Sequence, residues 1–194
     1  AQPGMHPQQH LYAVADATLK GFVPLCQTSE CFDLHSVIVT EVFRVANPQL
    51  WKKFQRKRHE VAQKLATRSV SWPGVNQIVP GCKHLRELFP YVELEDSANE
   101  ALLLYGSTEE AVNHIVARGF DERFNKNGMY GRGVYFASEA CKAAQNPGRG
   151  EVGRLILARV VLGRPFLAEG PLRVVPVEDE LGAPYDSAVV QPGT

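Results

Sequence analysis

The stretch NGMYGRGVYFA (127–137) gathers the residues of this chain best suited to chemistry on a ligand. Gly128, Gly131 and Gly133 fall close together and run straight into Val134, Tyr135, Phe136 and Ala137. Glycines beside an apolar run let backbone approach a phosphate or an aromatic ring. The phosphate loops with known mechanics run strand, glycines, helix, because the helix N-terminus holds the anion. Here the glycines come first and a β-rich tetrapeptide follows, so they need another reason. Taken singly, Tyr135 also fits core packing and each glycine also fits a turn.

Other reactive groups are dispersed. Cys26, Cys31, Cys82 and Cys141 form no C-x-x-C pair. Cys26, Cys31, Cys82 and His84 are a conceivable metal set, but the spacing is poor and free thiols in a reducing compartment are the expected state, with no metal. The run Lys52, Lys53, Arg56, Lys57 and Arg58 would suit a phosphate, although a solvated helix face is the plainer reading. The acidic VEDE (177–180) reads as surface.

These residues sit on recognisable elements. LHSVIVTEVF (34–43) alternates like a strand. Asn47 and Pro48 then open a helix over 47–66, with Leu50, Phe54, Val61 and Leu65 on one face, flanked by Trp51 and Ala62. After a Pro/Gly-rich stretch (72–81), NEALLLY (99–105) reads as a strand. Ser107 with Glu110 makes a capping box for a helix over 108–118 that Gly119 ends. GVYFA (133–137) reads as another strand, Ser138 caps a short helix (139–145), and GRLILARVVLG forms a long buried strand. Strands early, middle and late with helices between them predict an α+β fold with a substantial sheet. The 194 residues are 44 % hydrophobic and 22 % charged, with 21 basic and 21 acidic side chains. That balance supplies no global field toward nucleic acid or membrane, and the longest apolar runs are too short to span a bilayer. Residues 1–20 read as a disordered or extended lead-in and 21–194 as one domain. No signal peptide is legible, so an intracellular location is expected.

Two segments taken together, NEALLLYGSTEEAVNHIVARGFDER (99–123) and GMYGRGVYFAS (128–138), resemble the catalytic domain of the poly(ADP-ribose) polymerase family, with tankyrase-like features in GFDER. VFRVANPQLWKKFQRKR, LARVVLGRP and YDSAVV are similar to further landmarks in the same order. The resemblance implies a split, mostly antiparallel sheet around an NAD cleft, with NAD as substrate. It also implies cleavage of the nicotinamide–ribose bond through an oxocarbenium-like state, as in glycoside hydrolysis. A flat amide-bearing ring wants an aromatic face and a backbone N–H/C=O pair. By resemblance Tyr135 stacks on nicotinamide and the Gly106 backbone pairs with its amide. Ser107, Tyr130, Phe136 and Ala137 line the same site, Gly128, Gly131 and Gly133 let the donor loop fold over the dinucleotide, and Arg123 faces the pyrophosphate.

The chain departs from the family's His, Tyr, Glu triad. The His position is Tyr105, so the implied catalytic pair is Tyr105 and Tyr135. The serine and second tyrosine of the nicotinamide pocket fall on Ala143 and Asn146. The glutamate belongs on a strand beyond YDSAVV, past Thr194, so the domain is expected to stop short of its last strands. Two readings follow. One is an NAD-dependent mono-ADP-ribosyltransferase with a non-standard triad, acting on a protein acceptor. The other is a catalytically degenerate domain that binds or scaffolds a protein partner. Both place it within a larger protein or assembly. A related fold in RNA 2′-phosphotransferases carries an Arg/His-rich signature that is not visible here.

Overall fold

The computed structural model describes residues 38–67, 74–124, 128–145 and 153–190. Helix α1 (Pro48–Ala66) starts where the sequence predicts. Asn47 Oδ1 accepts the Leu50 N–H at 3.1 Å, and Pro48 holds the first helical position, where its missing N–H costs nothing. The Asn47 amide has a second task. Its Nδ2 donates to Val116 O at 3.1 Å and Ala117 O at 3.3 Å, satisfying carbonyls at the end of another helix.

Two short helices, α2 (Val75–Ile78) and α3 (Pro80–Leu88), lie within and just beyond the Pro/Gly-rich stretch (72–81). Pro80 stands in the first turn of α3, and Gly81, Cys82 and Leu85 are buried. Gly81 has a steric reason. A Cβ there would lie 2.4 Å from the Ser138 carbonyl oxygen.

Strand β1 (Glu100–Ser107) is the spine. It is buried on both faces, which explains the unbroken apolar run LLLY. Leu102 and Leu104 pack with Leu85, Ala140, Cys141 and Ala143 on one side. Ala101 and Leu103 pack with Val75, Val79, Cys82 and Leu162 on the other. β1 pairs antiparallel with β2 (Arg154–Val161), from Glu100↔Val161 to Ser107↔Arg154. β2 is half-buried along most of its length rather than buried as expected. β3 (Pro165–Ala168) and β4 (Ser187–Val190) form a separate parallel pair.

Charge joins α1 to this spine. Glu100 is fully buried. It accepts from Arg159 Nε at 2.5 Å, Arg58 Nη1 at 3.4 Å and the Glu95 N–H at 2.8 Å. The Arg159 guanidinium also lies 5.1 Å from the Trp51 ring centroid, so one arginine ties β2 to both the acid and the helix. Arg58, grouped by the sequence with a solvated basic run, therefore reaches inward.

Helix α4 (Glu109–Arg118) begins one residue later than predicted. Ser107 remains in β1, paired with Arg154, and Thr108 is the cap, its Oγ1 accepting from Ala111 N at 3.4 Å. The ladder holds Ser107 extended, so the hydroxyl behind it takes the capping role. Gly119 ends α4 at φ 91°, as predicted. Helix α5 (Ala140–Ala143) has Glu139 at its N-cap without a side-chain bond, so Ser138 does not cap it.

Of the expected strand at 34–43, residues 34–37 lie outside the described ones and 38–43 form no strand. Ile38 and Phe43 are 83 % and 71 % exposed. Alternation becomes a strand only where one face finds a sheet. Here Glu41 instead pairs with Arg154 at 3.0 Å. The expected strand at 133–137 contracts to one bridge, Leu104↔Ala137.

Candidate functional site

That single bridge organises the site. Leu104 and Ala137 exchange both backbone hydrogen bonds, each 2.8 Å, on the edge of β1 away from β2. In an antiparallel ladder residues i and i+2 turn their N–H and C=O to the same edge. Gly106 therefore presents its amide and carbonyl toward the same side as Leu104. Continuing the register places Tyr135 opposite Gly106 and Phe136 opposite Tyr105. The 134–137 segment has already left the ladder there, since no backbone bond joins Gly106 to Tyr135. The Gly106 backbone donor–acceptor pair thus turns toward the side from which the 134–137 segment approaches β1.

Gly106 owes its identity to the perpendicular direction. A Cβ would lie 1.9 Å from the Ala143 carbonyl oxygen, so α5 seats directly on this point of β1. The sequence placed Gly106 and Ala143 in one site, and the fold brings them into contact through backbone.

The glycine turn has its own account. The Tyr135 hydroxyl accepts the Tyr130 N–H at 3.0 Å and donates to Gly131 O at 2.6 Å. Its phenol end presses on Gly128, where a Cβ would fall 2.1 Å from Oη. Gly131 adopts φ +79°, in the left-handed region that favours glycine, and its N–H returns to Gly128 O at 3.2 Å. Met129 O accepts the Leu172 N–H at 3.0 Å, anchoring the turn's outer side. Gly133 has no such steric demand, for a Cβ there meets nothing within 4 Å.

Tyr105 points into a different cluster. Its ring meets Phe120 at 5.1 Å and Phe136 at 5.8 Å between centroids, and those two rings lie 4.9 Å apart, all edge-to-face. Phe120 is the neighbour that sequence reasoning missed. The only local signal was an aromatic side chain placed just after the glycine that ends α4. Ser107 closes β1, half-buried. Arg123 is held by Asp121, with Nη2 2.6 Å from Oδ2 and Nε 2.9 Å from Oδ1. That guanidinium, helped by the Arg123 N–H, lowers the Asp121 carboxyl to about 2. Asn146 lies outside the described residues.

The two described cysteines are packing groups. Burial, with a smaller contribution from Glu139, pushes the Cys82 thiol up to about 12. Burial likewise raises Cys141 and the half-buried Glu139 carboxyl. Among the described residues no group of three or more His, Cys, Asp or Glu side chains is arranged to hold a metal ion. No described helix is long and apolar enough to cross a membrane. A cleft of about 280 Å³ lies near the opposite end of β1, lined in part by Asn76, Arg86, Asp96 and Asn99, far along the strand from Gly106.

The fold is a mixed α+β domain with a small antiparallel sheet, whose strand β1 is bridged by Ala137 on its other edge and carries Tyr105 of the aromatic cluster near its end. The family model described as poly(ADP-ribose) polymerase catalytic domain matches residues 25–169 of the 194, and the chain belongs to that family. Its architecture is accordingly of the ADP-ribosyltransferase type, and domains of this family use NAD as substrate.

Proposed function

We propose that this domain binds NAD between Gly106 and Tyr135 and acts as a slow mono-ADP-ribosyltransferase with a non-standard triad. The observation that carries the reading is the register set by Leu104↔Ala137. It leaves the Gly106 N–H and C=O directed at the side where Tyr135 stands, which suits a carboxamide that needs one acceptor and one donor beside an aromatic ring. In this reading β1, β2 and the 134–137 segment form one half of a split sheet around the cleft, and residues 21–194 belong to the catalytic domain. The matched region ends at 169, so YDSAVV and the glutamate strand expected after it belong to the proposal. The chemistry is displacement at the ribose C1′. The C–N bond breaks, nicotinamide leaves with the electron pair, and an acceptor nucleophile on a protein bonds to C1′ and gives up its proton. Tyr135 and Gly106 orient the leaving group. Ala143 lacks a hydroxyl for the amide, which removes about 0.5–1.5 kcal/mol of binding. An intracellular setting and a larger parent protein suit a protein acceptor.

A second reading rests on Tyr105. Its ring packs against Phe120 and Phe136, filling the space beside the cleft with apolar surface. That favours a degenerate domain used to bind a protein partner. Calorimetric titration with NAD, followed by an assay of nicotinamide release, separates the two. Binding with slow release supports the transferase. Absence of binding at millimolar NAD overturns it and leaves the binding module.

A further inference from the structure

We propose that the Tyr135 hydroxyl is a positioning group, a latch that holds the 128–131 turn as a wall of the cleft, separate from any role of its ring. The inference rests on the reading of this cleft as the NAD site only for its effect on affinity. A phenol has one proton to donate. Here that proton goes to Gly131 O, while the oxygen accepts from the Tyr130 N–H, so the hydroxyl closes the turn from beneath. Gly128 makes the contact possible, since any side chain there would collide with Oη and Cζ. On the outer side Met129 O is bonded to Leu172 N, and a Cβ on Gly131 would meet Arg173 O at 3.1 Å. The turn is thus gripped from both sides, and removing the inner bonds leaves, among the described residues, the Met129–Leu172 bond on the outer side and the turn's own Gly131–Gly128 bond. Because the donor is already committed, a ligand meets the ring of Tyr135 and not its proton.

Tyr135→Phe keeps the ring and removes the latch. Amide hydrogen exchange at Tyr130 should accelerate at least tenfold in this variant, while Leu104 in β1 keeps its rate. NAD affinity should fall about tenfold. Gly128→Ala, which retains the hydroxyl but displaces it, should accelerate the same amide. Unchanged exchange at Tyr130 in Tyr135→Phe overturns the latch. So does a loss of protection that extends equally to Leu104, which would make the phenol a core strut. Faster exchange with unaltered NAD affinity overturns its link to the cleft. If NAD binds neither protein, the exchange rates still decide the latch, and only the nucleotide reading falls.

Discussion

Tyr105→His puts back the side chain that the family's pattern places at this position and tests what the tyrosine does now. Tyr105 makes two edge-to-face contacts, with Phe120 at 5.1 Å and Phe136 at 5.8 Å. Each such pair contributes about 0.5–1.5 kcal/mol beyond area burial. Imidazole is smaller and polar and keeps only part of either contact, so the substitution should cost about 1–3 kcal/mol. For a domain of this size that lowers the melting temperature by roughly 3–10 °C. Phe120→Leu should cost less in the Tyr105→His background than in the parent chain, because the two residues share a contact. If the domain is a slow transferase, the same variant should bind NAD about fivefold more tightly, the worth of one added hydrogen bond of about 1 kcal/mol. Melting curves and NAD titrations on the four proteins read all of this. A Tyr105→His protein as stable as the parent, with additive Phe120 effects, would refute the claim that the aromatic cluster holds Tyr105.

The remaining predictions concern the scaffold. Thr108→Ala should cost about 0.5–1 kcal/mol by stranding an amide of the first turn of α4, while Ser107→Ala leaves that cap intact, as urea melts of both will show. Glu100→Ala should cost about 3–5 kcal/mol, since Arg58, Arg159 and the Glu95 N–H all lose their acceptor. A loss below 1 kcal/mol would mean that both arginines find water. The folded Cys82 thiol keeps its proton up to about pH 12, whereas the unfolded thiol loses it near 9.0. Its contribution is therefore fully present below pH 9 and declines as pH rises toward 12, by about 1.4 kcal/mol per pH unit at most. Cys82→Ala should flatten that decline in melts taken across the alkaline range.

What the sequence determined by itself was local. Asn47 with Pro48 and Gly119 each carry their instruction within a few residues, because a cap and a glycine helix stop are satisfied by near neighbours, whereas the apolar run of β1 announces a doubly buried strand without saying what buries it. The order of motifs sufficed for the family, and it named Gly106, Tyr135 and the glycine turn. Tertiary structure decided what those residues do. α3 forms at the end of a Pro/Gly-rich stretch because Cys82 and Leu85 find the two faces of β1. Residues 38–43 stay irregular because their alternating side chains find no sheet to cover them. Ser107 yields the cap to Thr108 because Arg154 pairs with it across the ladder. Gly128 is a glycine for the sake of a tyrosine hydroxyl seven residues on, and Tyr105 is held by Phe120 from beyond the next helix. Such facts are absent from any short window of sequence, because steric exclusion and ring packing act between atoms that only the folded chain brings together.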